Sequence, residues 1–381
     1  MEKLLTQVCK IQYGYPFDSN KFAPSNGMPV IRIRDVVRGY SETYTTEEYD
    51  SSYIVNDGDM LVGMDGEFNI GKWNGGTALL NQRVCRLFPT EELDADYLFY
   101  FMPKVLKEIE AATPFATVKH LSAKQLNKIV IPLPGIEEQR TIARKFVLLD
   151  SLIKSRTEQL CNLDNLVKSR FIELFGDPFD NKKWTTQKLR NISVSISDGS
   201  NVDKAHYKER GDVLFLRIQN VWFNEFRLDD SVYISQDVND EYLDTSLHFG
   251  DLLITKIGRY YTKDSSLGRV SVYLGENDKA NYSNNIMRVR LTDEVCSEFV
   301  NVLMNLDDYN RYIREVSVGG TDKRALSKAI IGDLPIIMPP KELQIKFLEF
   351  VRQTDKLKLA VTEALAELET LKKSLMQQYF G

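Results

Sequence analysis

Two sets of basic, amide and aromatic side chains occupy matching places in this chain. Asn81-Gln82-Arg83 faces Ser283-Asn284-Asn285, and Lys119-His120 faces Lys323-Arg324. Two glycine-rich stretches add to them. Residues 66–76 carry Lys72 and Trp73 near their tip, and residues 258–268 carry Arg259, Tyr260, Tyr261 and Lys263. Arg, Lys, Asn and Gln hydrogen-bond the edges of bases, and basic residues also anchor phosphates. Singly, each would be an ordinary solvated loop residue. Placed twice, at equivalent points of a repeated unit, they make contact with DNA the better reading.

Bond-making chemistry finds no support. There is no Gly-x-x-x-x-Gly-Lys-[Ser/Thr] phosphate loop, no Gly-x-Gly-x-x-Gly after a predicted strand, and no Asn-Pro-Pro-aromatic string of an adenine methyltransferase. His120, His206 and His248 lack the spacing of metal ligands or of a Ser-His-Asp triad. Asp180-Asn181-Lys182 has the form of a nuclease-core triplet, which arises by chance in most chains of this size. Cys9, Cys85, Cys161 and Cys296 lie far apart and suggest neither a disulfide framework nor a zinc site. The expectation is a binder without catalytic residues, metal or cofactor of its own.

An internal repeat positions these residues. At an offset of 205, Pro134 meets Pro339, Glu137 meets Glu342, Gln139 meets Gln344 and Asp150 meets Asp355. The match needs no gap from Leu121 to Gly176, and it ends with Phe175-Gly176 on Phe380-Gly381. Upstream, the offset drifts from 185, where residues 30–36 meet 215–221, through 192, where Gly58-Asp59 meets Gly250-Asp251, to 204, where Asn81 meets Asn285. Such drift suits insertions in loops.

The first part of each repeat reads as short strands between glycine turns, with residues 30–36 alternating apolar and charged as a half-buried strand does. A short helix is expected near 97–110 and another near 298–315. The last part is helical, with no Pro or Gly between Gly135 and Gly176. In the second copy Leu357, Val361, Ala364, Leu368, Leu371 and Leu375 follow a heptad seam. Each helix would be roughly 55–60 Å long at about 1.5 Å per residue. Packed antiparallel, the two would set the strand-rich domains at opposite ends about a pseudo-twofold axis.

Composition agrees with a globular protein: 381 residues, 43% hydrophobic and 27% charged. No apolar run of membrane-spanning length and no signal peptide is seen, so a cytoplasmic home is expected. The net charge of −5 argues mildly against nucleic acid as partner. Residues 1–134 hold 14 Lys and Arg against 17 Asp and Glu. DNA binding would therefore rest on local basic patches or on help from a partner.

The order Gly-Asp-Met-Leu-Val, Ile-Pro-Leu-Pro, Glu-Glu-Gln-Arg and Phe-x-x-Leu-Phe-Gly, with the box repeated as Ile336-Ile337-Met338-Pro339-Pro340, resembles the specificity subunit of type I restriction-modification enzymes. The resemblance covers essentially the whole chain. It implies an α+β fold with two tandem target recognition domains, 1–134 and 177–339, and two long spacer helices, 135–176 and 340–381. Each domain would read one half of a split, asymmetric site on double-stranded DNA. Two methyltransferase subunits would dock on the helices, with Leu163, Val167, Leu368 and Leu371 as the partner-binding residues. Motor and endonuclease subunits would join for cleavage. S-adenosylmethionine, ATP and Mg are then expected on partner subunits only, and no membrane is involved. In this alignment the equivalent of Trp184 would precede Met1, so the first domain's opening strand is expected to be shortened or differently built. A scaffold that uses the helix pair and binds no DNA is the alternative.

Overall fold

The computed structural model describes residues 2–113, 119–262 and 264–381. It divides into two compact units, one made of Met1–Glu158 with Thr362–Gly381, the other of Gln159–Val361. In the first unit a four-stranded antiparallel sheet runs in the order Cys9–Tyr13, Val84–Pro89, Met60–Gly63, Asn69–Lys72. The second unit repeats it as Ser193–Asp198, Ile286–Leu291, Leu252–Thr255, Val270–Val272. Beside it, Met28–Ile31 lies parallel to Ala78–Leu80, as Val213–Leu216 does to Ala280–Tyr282. Two 40-residue helices, Ile136–Phe175 and Lys341–Phe380, complete the mixed architecture. Among the described residues no helix is long and apolar enough to cross a membrane.

Hydrogen bonds fix the register of the duplication more sharply than identities do. The Leu5 amide donates to Ile129 and the Leu189 amide to Leu334, at 2.8 and 2.9 Å, so the offset starts at 184. It becomes 185 through a β-bulge between Ser193 and Ser195, where Val194 is the extra residue. Tyr15 bridges Asn81 as Ser200 bridges Ser283, which makes the later offset 202, not 204. The opening strand is intact: Glu2–Leu4 pairs with Val130–Pro132 just as Thr186–Lys188 pairs with Pro335–Ile337.

The Gly-Asp pairs have a plain structural cause. Gly58 and Gly250 stand at φ of 91° and 88°, a left-handed turn that side chains resist. The carboxylate that follows closes the turn on a backbone amide and holds a strand arginine, Asp59 with Arg86 at 2.8 Å and Asp251 with Arg290 at 2.7 Å. Two expectations change. Residues 30–36 are strand only to Ile31 and then turn into the helix Ile33–Arg38, because the Asp35 carboxylate caps it by accepting from the Arg32 amide at 2.9 Å. Asn220 does the same for Arg217 at 2.9 Å. The helix expected over 298–315 is two helices, Ser297–Met304 and Asp307–Val316. Asn305 sits at the break and donates its side-chain amide to the Val270 carbonyl at 3.1 Å and to Asn224 at 2.9 Å. Its counterpart in the first unit is Pro103, inside an unbroken helix Ala95–Ala112.

Each unit's core contains the start of one long helix and the end of the other. In the first, Phe146 stacks on Phe380 with centroids 5.7 Å apart, and Tyr97 meets Phe380 edge-on at 5.3 Å. In the second, Phe175 packs against Phe299 at 5.0 Å and Phe347 at 5.4 Å. Within each unit the two helices run antiparallel, as shown by Lys145 with Tyr379 and Lys372 with Asp150 in the first, and by Lys358 with Asp164 in the second. The repeated glutamine fastens each helix start. Gln139 accepts from the Asp94 amide at 2.9 Å and donates to Glu92 and Pro134, while Gln344 accepts from Cys296 at 2.9 Å and donates to Pro339. Both helices Gln139 and Gln344 touch begin there, at Asp94 and Cys296.

Truncating a buried phenylalanine in such a cluster costs about 3–5 kcal/mol. Phe175→Ala is therefore expected to speed hydrogen exchange around Phe299 and Val300 of the second unit, although Phe175 belongs to the first repeat. Phe380→Ala should do so around Tyr97 and Leu98. Equal loss of protection in both units from either change would show that the cores are not separate.

Candidate nucleic-acid interface

Three chain segments converge at one place in each unit. In the first, the Met64 amide donates to the Arg83 carbonyl at 2.9 Å and the Leu121 amide to Met64 at 2.7 Å. In the second, Lys256 donates to Asn285 at 2.9 Å and Leu326 to Lys256 at 2.8 Å. The same stitching pairs Asp65 with His120 and Ile257 with Ala325. Lys119 therefore corresponds to Arg324, one residue away from the match with Lys323 that sequence alone suggested.

In the first unit Asp65 gathers two of the expected residues. Its carboxylate lies 2.5 Å from His120 Nδ1 and 3.1 Å from Arg83 Nη1. Gln82 is exposed beside Arg83, its amide tied to Asn81 Oδ1 at 2.9 Å. The other residues expected here serve the fold. Trp73 is 1% exposed, part of a core with Leu61 and Leu80, and donates its indole N–H to the Gly76 carbonyl at 2.6 Å. Asn81 is 8% exposed and its side chain shapes the turn. Both are removed from the interface by burial. Lys72 is spent on Asp96 and the face of Phe99, and Lys119 on the Glu110 carbonyl at 2.9 Å.

In the second unit the segments form a small sheet, in which Arg259 stands opposite Lys323 and Gly258 opposite Arg324. Arg324 lies 3.9 Å over the ring of Tyr260, which meets Tyr261 edge-on at 4.9 Å. Tyr261 is 76% exposed. Asn284 bonds Asn201 at 3.3 Å. Lys263 lies outside the described residues. A cleft of about 550 Å³ opens here, walled by Arg259, Lys323 and Asn285 and by three residues sequence reasoning missed, Gln219, Trp222 and Arg269. A Cβ on Gly258 would come within 2.3 Å of the Leu267 amide nitrogen, so only glycine lets the strand lie against this wall. Arg269 is 4% exposed; burial, and then the Arg227 charge, hold its guanidinium below its ordinary pKa. The repeat could have exposed Gln219, which faces Arg34 at the 185 offset, and Asp65, which faces Ile257 at 192. For Trp222 and Arg269 no signal existed before the fold was known.

On the helices, Val167 is 8% exposed and belongs to the second unit's core, which takes it out of any partner surface. Leu163 and Leu368 are half-buried, and Leu371 is exposed. Other large apolar side chains stand open on the same helices, among them Val147, Leu148, Leu166, Leu357 and Leu359. Among the described residues no group of His, Cys, Asp or Glu could hold a metal.

Known proteins share this organisation. A family profile, the type I restriction modification DNA specificity domain, matches residues 1–162. The EcoBI specificity subunit of Escherichia coli is 26% identical over 99% of this chain and 84% of its own. The MjaVIII specificity subunit of Methanocaldococcus jannaschii is 22% identical over 91% of this chain and 87% of its own. In fold, the chain is similar to a type I restriction-modification system S subunit from M. genitalium, with a TM-score of 0.59, 14% identity, and coverage of 100% of this chain and 96% of that one. A second solved structure, from work on assembly of a type I restriction-modification system, gives 0.57 and 17%, covering 100% and 97%. With the doubled strand-rich unit, the two long helices and likeness along nearly the whole chain, this protein is similar to the type I restriction-modification specificity subunits, and its residues 1–162 match their DNA specificity domain.

Proposed function

We propose that each unit reads one half of a split DNA site, and that the chain supplies sequence recognition to a complex whose chemistry resides elsewhere. The observation that carries this is the repeated stitching of Met64–Arg83–Leu121 and Lys256–Asn285–Leu326. It brings side chains able to contact DNA to one equivalent place in both units, but with different identities: Gln82, Arg83 and His120 in one, Asn285 with the cations Arg259 and Lys323 in the other. Different side chains at equivalent places predict two unlike half-sites. The exposed apolar residues of the long helices suit docking of methyltransferase subunits, which would bring S-adenosylmethionine. Motor and endonuclease subunits would bring ATP and Mg. The complex would work in the cytoplasm.

Selection from a randomised duplex library tests this, using the chain purified with the methyltransferase encoded beside it, at a stated salt concentration. Recovery of an asymmetric bipartite site with a fixed gap is expected. No enrichment by a folded complex would favour the scaffold instead.

Two variants refine the assignment. Asp65→Asn frees Arg83 and His120 from their carboxylate and should change base preference in one half-site only, by about 1–3 kcal/mol per affected base pair. Altered preference in both halves would refute it. Insertion of one heptad in each helix adds about 10 Å at about 1.5 Å per residue. The gap should lengthen by about three base pairs at about 3.4 Å each, with both half-sites retained. An unchanged gap would remove the spacer role.

A further inference from the structure

The two units differ in charge at the place where their segments converge. Where the second unit has Arg259, the first has Glu67, and where it has Ile257 the first has Asp65. Strand pairing also sets Arg269 opposite the position of Asn69, since Val270 pairs with Ile254 as Ile70 pairs with Val62. At this place the first unit sets Asp65 beside Arg83 and His120, while the second gathers Arg259, Arg269 and Lys323 around one cleft with Asp264 as the acidic residue in its wall.

Arg269 is the unusual member. Its guanidinium donates to three backbone carbonyls, Ser265 at 2.9 Å, Asp264 at 2.5 Å and Val221 at 3.5 Å. Among the described residues it has no carboxylate in ion-pair contact. A guanidinium has five N–H donors, so two remain. Burying a cation is costly; burial and then the Arg227 charge lower its pKa, and the Asp264 charge offsets part of this. The position is nevertheless held firmly. The Trp222 ring lies between Arg269, 3.6 Å from its centroid, and Arg227, 3.4 Å away. Two guanidiniums that close must take opposite faces of the ring. The Trp222 N–H is fixed to the Gln219 carbonyl at 2.9 Å. Asn224, at the turn of the same hairpin, accepts from Asn301 at 2.7 Å and Asn305 at 2.9 Å. The Trp222 faces are thus covered, which leaves no stacking platform for a base. What the cleft offers is a fixed positive charge at its wall and two exposed cations, Arg259 and Lys323, at its mouth. Of these two, Arg259 has Asp322 at 3.6 Å, and among the described residues no ion pair is seen for Lys323.

We infer that this cleft is an anion site that grips a backbone phosphate of the DNA, and that among the described residues the first unit has no equivalent. The inference rests on the DNA-reading role proposed above and adds to it: both units read, and the second also supplies a sequence-independent, salt-sensitive grip. Lys323 and Arg259 reach the phosphate oxygens from solvent, and Arg269 sets the potential behind them.

The test uses the full chain with its methyltransferase partner, and duplexes that carry the selected site. For the double variant R259Q/K323Q, both changes being on exposed side chains, the slope of log K against log salt should shrink by about 0.9 for each phosphate no longer gripped. Base preference in both half-sites should stay as in the wild type. A neutral methylphosphonate placed singly along the site should weaken wild-type binding at one or two positions beside the second unit's half-site. Those same positions should cost the variant nothing. Arg269→Gln removes the charge behind Arg259 and Lys323, and should weaken binding at the same phosphates with no new base preference. A variant with an unchanged slope overturns the phosphate grip and leaves the DNA-reading role standing. A changed base preference with an unchanged slope assigns the cleft to base reading instead. A wild-type complex that selects no site removes both.

Discussion

The organisation depends on a reciprocal insertion of helix ends. Phe175 ends the helix that starts in the first unit and fills the core of the second, against Phe299 and Phe347. Phe380 ends the helix that starts in the second and fills the core of the first, against Phe146 and Tyr97. Each helix is held at its start by a buried glutamine and at its end by a buried aromatic ring. An inserted residue would rotate the far end by about 100° and pull the phenylalanine out of its core. Close packing tolerates no such shift. That is why the offset of 205 runs without a gap from Leu121 to Gly176, while the strand-rich parts drift. A constraint at both ends, rather than the heptad seam alone, keeps both helices at 40 residues.

The repeat made the fold class and the two long helices legible, because each rests on a pattern with a period: identity at a fixed offset, and apolar spacing at three and four. The failures came from interactions without a period. Residues 30–36 alternate like a strand, yet one buried carboxylate, Asp35, returns to the Arg32 amide and starts a helix. Residues 298–315 read as one helix, yet the Asn305 side chain bonds the sheet and ends it. The offset of 204 was a compromise between 202 at one strand and 205 at the next, which only the hydrogen-bonded partners could separate.

At the candidate interface, the segments that sequence singled out do converge, but several of their side chains are buried or paired. Lys119-His120, Asn81-Gln82-Arg83 and their counterparts do converge, because each flanks a strand that the repeat already marked. Whether a given side chain faces outward depends on its neighbours. Trp73 is drawn into a core by Leu61, Leu80 and Val84, and Val167 is covered by the rest of its own unit. Neither outcome is encoded locally. Trp222 and Arg269 were invisible for the opposite reason: they are 47 positions apart in the chain and acquire meaning only when the ring and the guanidinium meet.

The acidic balance of the chain then becomes part of how it would discriminate sequences. Affinity from phosphate contacts is independent of sequence, so every free cation raises binding to any duplex. Discrimination is a ratio between specific and non-specific binding. A protein that reads bases with arginine gains if the charge, though not the N–H donors, is compensated. The pairing of Arg83 with Asp65 would do this, because the carboxylate meets Nη1 at 3.1 Å and the guanidinium has other donors. Lys72 on Asp96 and Lys119 on Glu110 remove two further cations from the first unit. Confining a cleft with an excess of cations to one unit would anchor the chain on the backbone at one end of the site. Recognition by the other unit would then depend on hydrogen-bond geometry, and a net charge of −5 would restrain wandering onto the wrong sequence.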